Sequence, residues 1–113
     1  MNRPVLCGWL AMAVCAMAQA NDFPTVDRVE FVHECIRGRQ GLRQEFLYKC
    51  ACAIDALAAA VPYAEYVELQ TAARAISIAG ERGAVVRDAA DAQQLAKRFR
   101  ALEEQAKRQC FLD

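Results

Sequence analysis

Hydroxyl and imidazole side chains are scarce in this chain. Beyond residue 20 it carries one serine, Ser77, two threonines, Thr25 and Thr71, and one histidine, His33. The sequence sets no serine or cysteine beside His33 for nucleophilic catalysis, so His33 reads as a surface or cap residue. Runs of β-branched residues are missing, and so are hairpin dipeptides such as Asn-Gly. Ala, Glu, Arg, Gln and Leu dominate instead, which favours an all-α fold. Charge of one sign is not in excess: 14 Lys and Arg face 14 Asp and Glu. No basic footprint for nucleic acid is present, and no polybasic membrane patch. There is no Cys-x-x-Cys redox motif and no Cys-x-x-Cys-His for haem attachment.

What is present first is an export signal. Met1-Asn2-Arg3 is a short basic start, residues 5–17 are almost unbroken apolar chain, and Ala18-Gln19-Ala20 has the small-x-small pattern of a cleavage site. The apolar run is shorter than the roughly 20 residues that span a bilayer. A lipoprotein reading of Cys15 is disfavoured by Val14, where a small residue is expected. Residues 1–20 are therefore read as a secretory signal cleaved after Ala20, and Cys7 and Cys15 leave with it. Residues 21–113 form one domain, with 14 acids facing one fewer base once Arg3 is removed. No later segment is apolar enough to be transmembrane. The expected location is the bacterial periplasm or beyond.

Four helices are expected, at about 26–37, 42–60, 63–79 and 88–109. Thr25 or Asp27 stands near the first cap. Gly38-Arg39-Gln40-Gly41 and Gly80-Glu81-Arg82-Gly83 read as loops. Pro62 breaks the chain between the second and third helices. Apolar stripes recur at helical spacing: Phe46, Cys50, Ile54, Leu57 and Val61 on the second helix, and Tyr66, Leu69, Ala73 and Ile76 on the third. Ala92, Leu95, Phe99, Leu102, Ala106 and Cys110 form the stripe of the last. The fold expected is a small disulfide-stapled, up-down bundle of about four short helices.

Cys35, Cys50, Cys52 and Cys110 remain after cleavage. An even count in a short exported chain is read first as disulfides. A domain of this size buries a modest core, and each disulfide adds about 2–4 kcal/mol. Cys50 and Cys52 point about 200° apart on a helix. While the helix persists they neither bond to each other nor chelate one ion. One partner on each side leaves Cys35 and Cys110, in either of two pairings. Position along the bundle favours Cys35–Cys50 with Cys52–Cys110. The competing reading of Cys50-Ala51-Cys52 is a copper(I) or redox carrier, since soft thiolates favour copper(I) and His33 lies close to Cys35. Geometry and an oxidising compartment weigh against it, and no metal or cofactor is expected.

Asp55, Glu65 and Glu68 are acids on helix faces, a setting that is usually solvated rather than catalytic. Tyr63, Glu65 and Tyr66 make a better candidate for a partner surface, because tyrosine combines an apolar body with a polar tip. The alternative is that these tyrosines cap the core. Glu81 and Arg82, followed by Arg87 and Asp88, offer further charged contacts.

One resemblance runs through these residues. The order Tyr48-Lys49-Cys50-x-Cys52-x-Ile54-Asp55-Ala56-Leu57-Ala58, then Pro62-Tyr63-x-Glu65-Tyr66-Val67, then Gly80-Glu81-Arg82-Gly83, then a Phe99-Arg100-Ala101-Leu102 helix ending in Cys110-Phe111-Leu112 resembles a family of small bacterial periplasmic proteins. It covers nearly all of residues 21–113. That family is associated with the neighbourhoods of periplasmic quinoprotein alcohol dehydrogenases and their cytochromes. The resemblance implies a shared four-cysteine framework and an accessory role near such an enzyme. It carries over no catalytic residue.

The function expected is thus that of a non-enzymatic periplasmic protein acting through a protein partner. A thiol-based copper(I) or redox carrier is the alternative, and a small periplasmic inhibitor or immunity protein a third. Exported protein should begin at Asn21 by mass spectrometry and show no thiol reactive to maleimide under denaturing conditions. Two or more reactive thiols with stoichiometric copper would contradict the staple reading.

Overall fold

The computed structural model describes residues 22–78 and 80–112, apart from the side chains of Arg82 and Val86. The expected signal 1–20 and its cleavage point lie outside the described residues, as do Cys7 and Cys15. The fold is all-α. Five helices follow in order: α1 (Thr25–Ile36), α2 (Arg43–Ala60), α3 (Tyr63–Ile76), α4 (Glu81–Arg87) and α5 (Ala90–Gln109).

The first helix buries none of its residues fully. It leans on α2 through a half-buried face of Phe31, Val32, Cys35 and Ile36. The chain then turns through Gly38 (φ 81°) and Gly41 (φ 133°), both in the left-handed region that glycine enters without a Cβ clash. In α2 the buried residues are Cys50, Ala53, Ile54 and Leu57, the spacing of a single helical face. Ala53 is wholly buried but was not among the residues of the expected stripe. A small side chain there permits close helix approach.

Between α2 and α3 only Val61 and Pro62 intervene. Val61 is extended (φ −141°) and buried, and its N–H donates to the Leu57 carbonyl at 3.1 Å. Pro62, lacking an N–H, closes α2 and caps α3. So short a joint turns the chain by 112° instead of reversing it. The expected up-down arrangement is therefore corrected at this corner. The closing element is α5, which packs on both α2 and α3. It buries Ala96, Phe99 and Ala106, with Leu95 and Leu102 half-buried beside them.

A second correction concerns Gly80-Glu81-Arg82-Gly83. The stretch is only partly a loop. Gly80 (φ 91°) makes the turn, and a short helix, α4, begins at Glu81. Gly83 lies inside α4 for a packing reason. A Cβ built there would stand 2.0 Å from the Ile78 carbonyl oxygen and 2.6 Å from Arg87 Nη1. The absent side chain lets the Arg87 guanidinium donate to the carbonyls of both Ile78 and Gly80. Those carbonyls belong to the chain just after α3, so Arg87 ties α4 back onto it.

The C-terminus of α5 is closed by a Schellman motif. The Leu112 N–H donates to the Lys107 carbonyl at 2.9 Å, and the Phe111 N–H to the Arg108 carbonyl at 3.4 Å. Phe111 takes the left-handed position (φ 56°), usually filled by glycine, and points its ring into solvent while Leu112 is buried.

Gly83→Ala should lower stability by about 1–3 kcal/mol in urea unfolding, the usual range for overpacking, with amide exchange faster in α4 than in α2. An unchanged denaturation midpoint would contradict the close approach described.

Candidate binding surface

The four cysteines among the described residues are all bonded. Cys35 joins Cys50 (S–S 2.06 Å, Cα–Cα 5.9 Å) and Cys52 joins Cys110 (S–S 1.99 Å, Cα–Cα 5.8 Å). The Cys50 side of α2 faces the core, where Cys50 is fully buried, while Cys52 is exposed on the other side. The pair thus has one partner on each face: α1 through one bond, the end of α5 through the other. Among the described residues no group of three or more His, Cys, Asp or Glu is placed to hold a metal ion.

The tyrosine segment is built into the core more than onto the surface. Tyr66 is 3% exposed, its ring 4.9 Å from that of Phe23 and 5.9 Å from that of Phe99. Its hydroxyl accepts a hydrogen bond from Gln70 Nε2 at 2.9 Å. Burial, with the Glu103 charge second, pushes the Tyr66 phenol up to about 12. Tyr63 is half-buried, edge-on to Phe23 at 5.4 Å, and its hydroxyl donates to Asp27 on α1. That hydrogen bond, aided by partial burial, raises the Tyr63 phenol. The Tyr63 N–H, an open donor at the start of α3, is taken by the Asp22 carboxylate at 3.0 Å. Glu65 pairs with Arg98 on α5.

Glu81 is exposed at the start of α4, and the Arg82 side chain lies outside the described parts. Tyr63, Glu65 and Tyr66 occupy the first turn of α3, whereas Glu81 follows its far end. Of the remaining sequence candidates, Asp55 is paired with Arg28, and His33 and Glu68 are exposed.

Phe23 escaped the sequence reading. It lies in the short segment before Pro24, outside any helical periodicity, yet is 5% exposed and joins the cluster of Tyr63 and Tyr66. The signal available was an isolated aromatic next to a proline.

The surface that does stand open lies along α1 and α2. At its turn end is a groove of about 800 Å³, floored by Val32, Ile36, Phe46 and Leu47 and edged by Arg37, Arg39 and Arg43. It runs into a second hollow of about 360 Å³ on the same seam, lined by Val29, Ala51 and Ile54, the two sharing Val32, His33 and Leu47. Arg39 is fixed in place: its Nε donates to the Cys35 carbonyl at 2.9 Å, and its guanidinium lies 5.5 Å from the Phe46 ring centre. Of the apolar lining residues, Val29 and Leu47 are exposed.

A separate cleft of about 440 Å³ lies between α1, α3 and α5 and contains Glu34, Arg74, Glu103 and Lys107. Burial pushes the Glu103 carboxyl up, Lys107 pulling it part of the way back. Arg74 faces Glu34 at 3.8 Å and Lys107 faces Glu104, just outside the cleft, at 3.5 Å. Arg37 and Arg39 line this cleft as well as the groove.

In comparisons with known proteins, no family model, no curated protein and no solved structure matches the chain.

Because the Glu103 carboxyl is raised in the fold, the native state holds a proton that the unfolded chain releases. Its contribution is full below the ordinary value of 4.5 and is lost as pH rises through the higher folded value. Glu103→Gln should therefore raise the melting temperature at pH 7 and flatten its fall between mildly acidic and neutral pH. A variant less stable than wild type at pH 7 would show that the charged form is favourably held.

Proposed function

We propose that this protein is a non-enzymatic accessory protein of the bacterial periplasm that acts by binding a protein partner, in the setting of a quinoprotein oxidoreductase system. The observation that carries the binding role is the open α1–α2 groove, whose apolar lining includes the exposed Val29 and Leu47. Scattered apolar residues are ordinary on a surface, but exposed apolar side chains lining a groove are a feature of interaction sites. The disulfides support the reading in a second way. They are compatible with an oxidising compartment outside the cytoplasm, and they fix the face without needing a large core. The oxidoreductase setting rests on the resemblance of the four-cysteine sequence pattern.

The copper(I) form of the carrier alternative requires free thiols at Cys50 and Cys52, whose sulfurs are both bonded in the fold. The redox form would require those bonds to be reduced in use. An inhibitor or immunity protein is a special case of partner binding, and the same capture separates it by the identity of what is bound.

Oxidised, tagged protein expressed in its own periplasm and isolated after brief cross-linking should retain one protein in near-stoichiometric amount. Leu47→Asp, at a position 41% exposed, should reduce that recovery several-fold while leaving the melting temperature within a few degrees. No specific protein recovered under several growth conditions would overturn the partner-binding role.

A further inference from the structure

The charge lining the α1–α2 groove is one-sided. Arg37, Arg39 and Arg43 edge the groove, His33 stands beside them, and no acid lines that end. The acids nearest in sequence are engaged elsewhere: Glu34 with Arg74, and Glu45 with Lys49 at 2.6 Å. Arg37 and Arg43 have no ion-pair partner among the described residues. Since the whole chain is neutral, with 14 bases and 14 acids, this concentration is local and not a consequence of composition.

Helix stability accounts for Arg37, which stands at the C-terminus of α1 where the macrodipole favours a cation, but not for Arg43. Arg43 opens α2, at the helix end where the macrodipole disfavours a cation. Exposed arginines at such a position cost a little stability. The second half of the groove differs in character. Its lining includes Val29, Val32, Leu47, Ala51 and Ile54 with His33, and its one acid, Asp55, is paired with Arg28. The two hollows share three lining residues, and the furrow they make has a cationic end and a largely apolar one.

We infer that this furrow is the docking site for an acidic amphipathic segment of a partner protein, its carboxylates toward Arg37 and Arg43 and its apolar side chains along Val29, Val32 and Leu47. The inference rests on the partner-binding role and specifies the chemistry of what binds. Charge complementarity selects the occupant. A basic segment would meet uncompensated arginines, and a purely apolar one would leave them desolvated without partners. Arg39 is held against Phe46 and so provides a preset edge. Laying the apolar face of a helix into a hydrophobic groove is a recurring mode of peptide recognition.

The test uses the oxidised full domain and two labelled peptides with leucines at i, i+3, i+4 and i+7, one flanked by glutamates and one by lysines. The glutamate peptide should bind by fluorescence anisotropy, at least about tenfold more tightly than the lysine peptide, and weaken as salt rises. Amide shifts on binding should map to residues 29–37 and 43–51. The double reversal R37E/R43E should invert the preference between the two peptides. R43E alone should weaken binding while leaving the melting temperature equal or slightly higher, because the new acid suits the start of α2. Failure of both peptides to bind, equal binding of the two, or shifts centred on the α3–α5 cleft would overturn the site. So would preferential binding to anionic lipid vesicles. A partner captured equally by wild type and R37E/R43E would leave the accessory role standing and remove the furrow from it.

Discussion

The two sulfurs of Cys50-Ala51-Cys52 cannot face the same way while α2 is a helix, and the rest of the architecture depends on that constraint. Separated by a single residue, they stand on opposite sides of one rod. Cys50 reaches Cys35 on α1, and Cys52 reaches Cys110 at the end of α5. One central helix is thereby tied to both ends of the described chain. The two ties do different work. Cys52–Cys110 fastens an element that already packs well, since α5 buries Ala96, Phe99 and Ala106 against α2 and α3. Cys35–Cys50 fastens α1, which buries no residue fully.

That asymmetry links the staple to the binding surface. A helix with only half-buried contacts would detach readily if left to its apolar packing and the Arg28–Asp55 pair, because exposed ion pairs contribute little. Held by the disulfide, α1 forms one wall of the groove. The aromatic cluster of Phe23, Tyr63, Tyr66 and Phe99 anchors the start of α1 in a similar way, with Asp22 and Asp27 reaching across to Tyr63. The furrow between α1 and α2 is thus fixed at one end by a covalent bond and at the other by contacts from Phe23 and α3, beyond the apolar packing of α1 itself. The Tyr63–Tyr66 segment, the first choice for a partner surface, instead contributes to that anchoring.

Much of this was legible in the sequence. Helical periodicity located α1, α2, α3 and α5, and the 200° argument required one partner on each side for the central cysteines. What escaped has local physical causes. The helical character of Glu81–Arg87 was hidden because two glycines three apart look like a loop, whereas Gly83 serves close approach to the Ile78 carbonyl. Phe23 belongs to no periodic pattern, so its core role depended on a tertiary contact with α3. The 112° corner followed from Val61 being extended and buried, which composition does not reveal. The basic groove was invisible because its arginines come from two helix ends and the turn between them. Each is unremarked along the chain, and only the fold sets them side by side along one groove.

The central claim is that α1, and with it the groove, depends on the Cys35–Cys50 bond more than on packing. Amide hydrogen exchange on the Cys35→Ser/Cys50→Ser double variant tests it directly, with Cys52–Cys110 intact. Protection should fall to near the unfolded level across Thr25–Ile36 while Tyr63–Ile76 and Ala90–Gln109 keep most of theirs. Protection retained in α1, or lost uniformly through all the helices, would contradict the account.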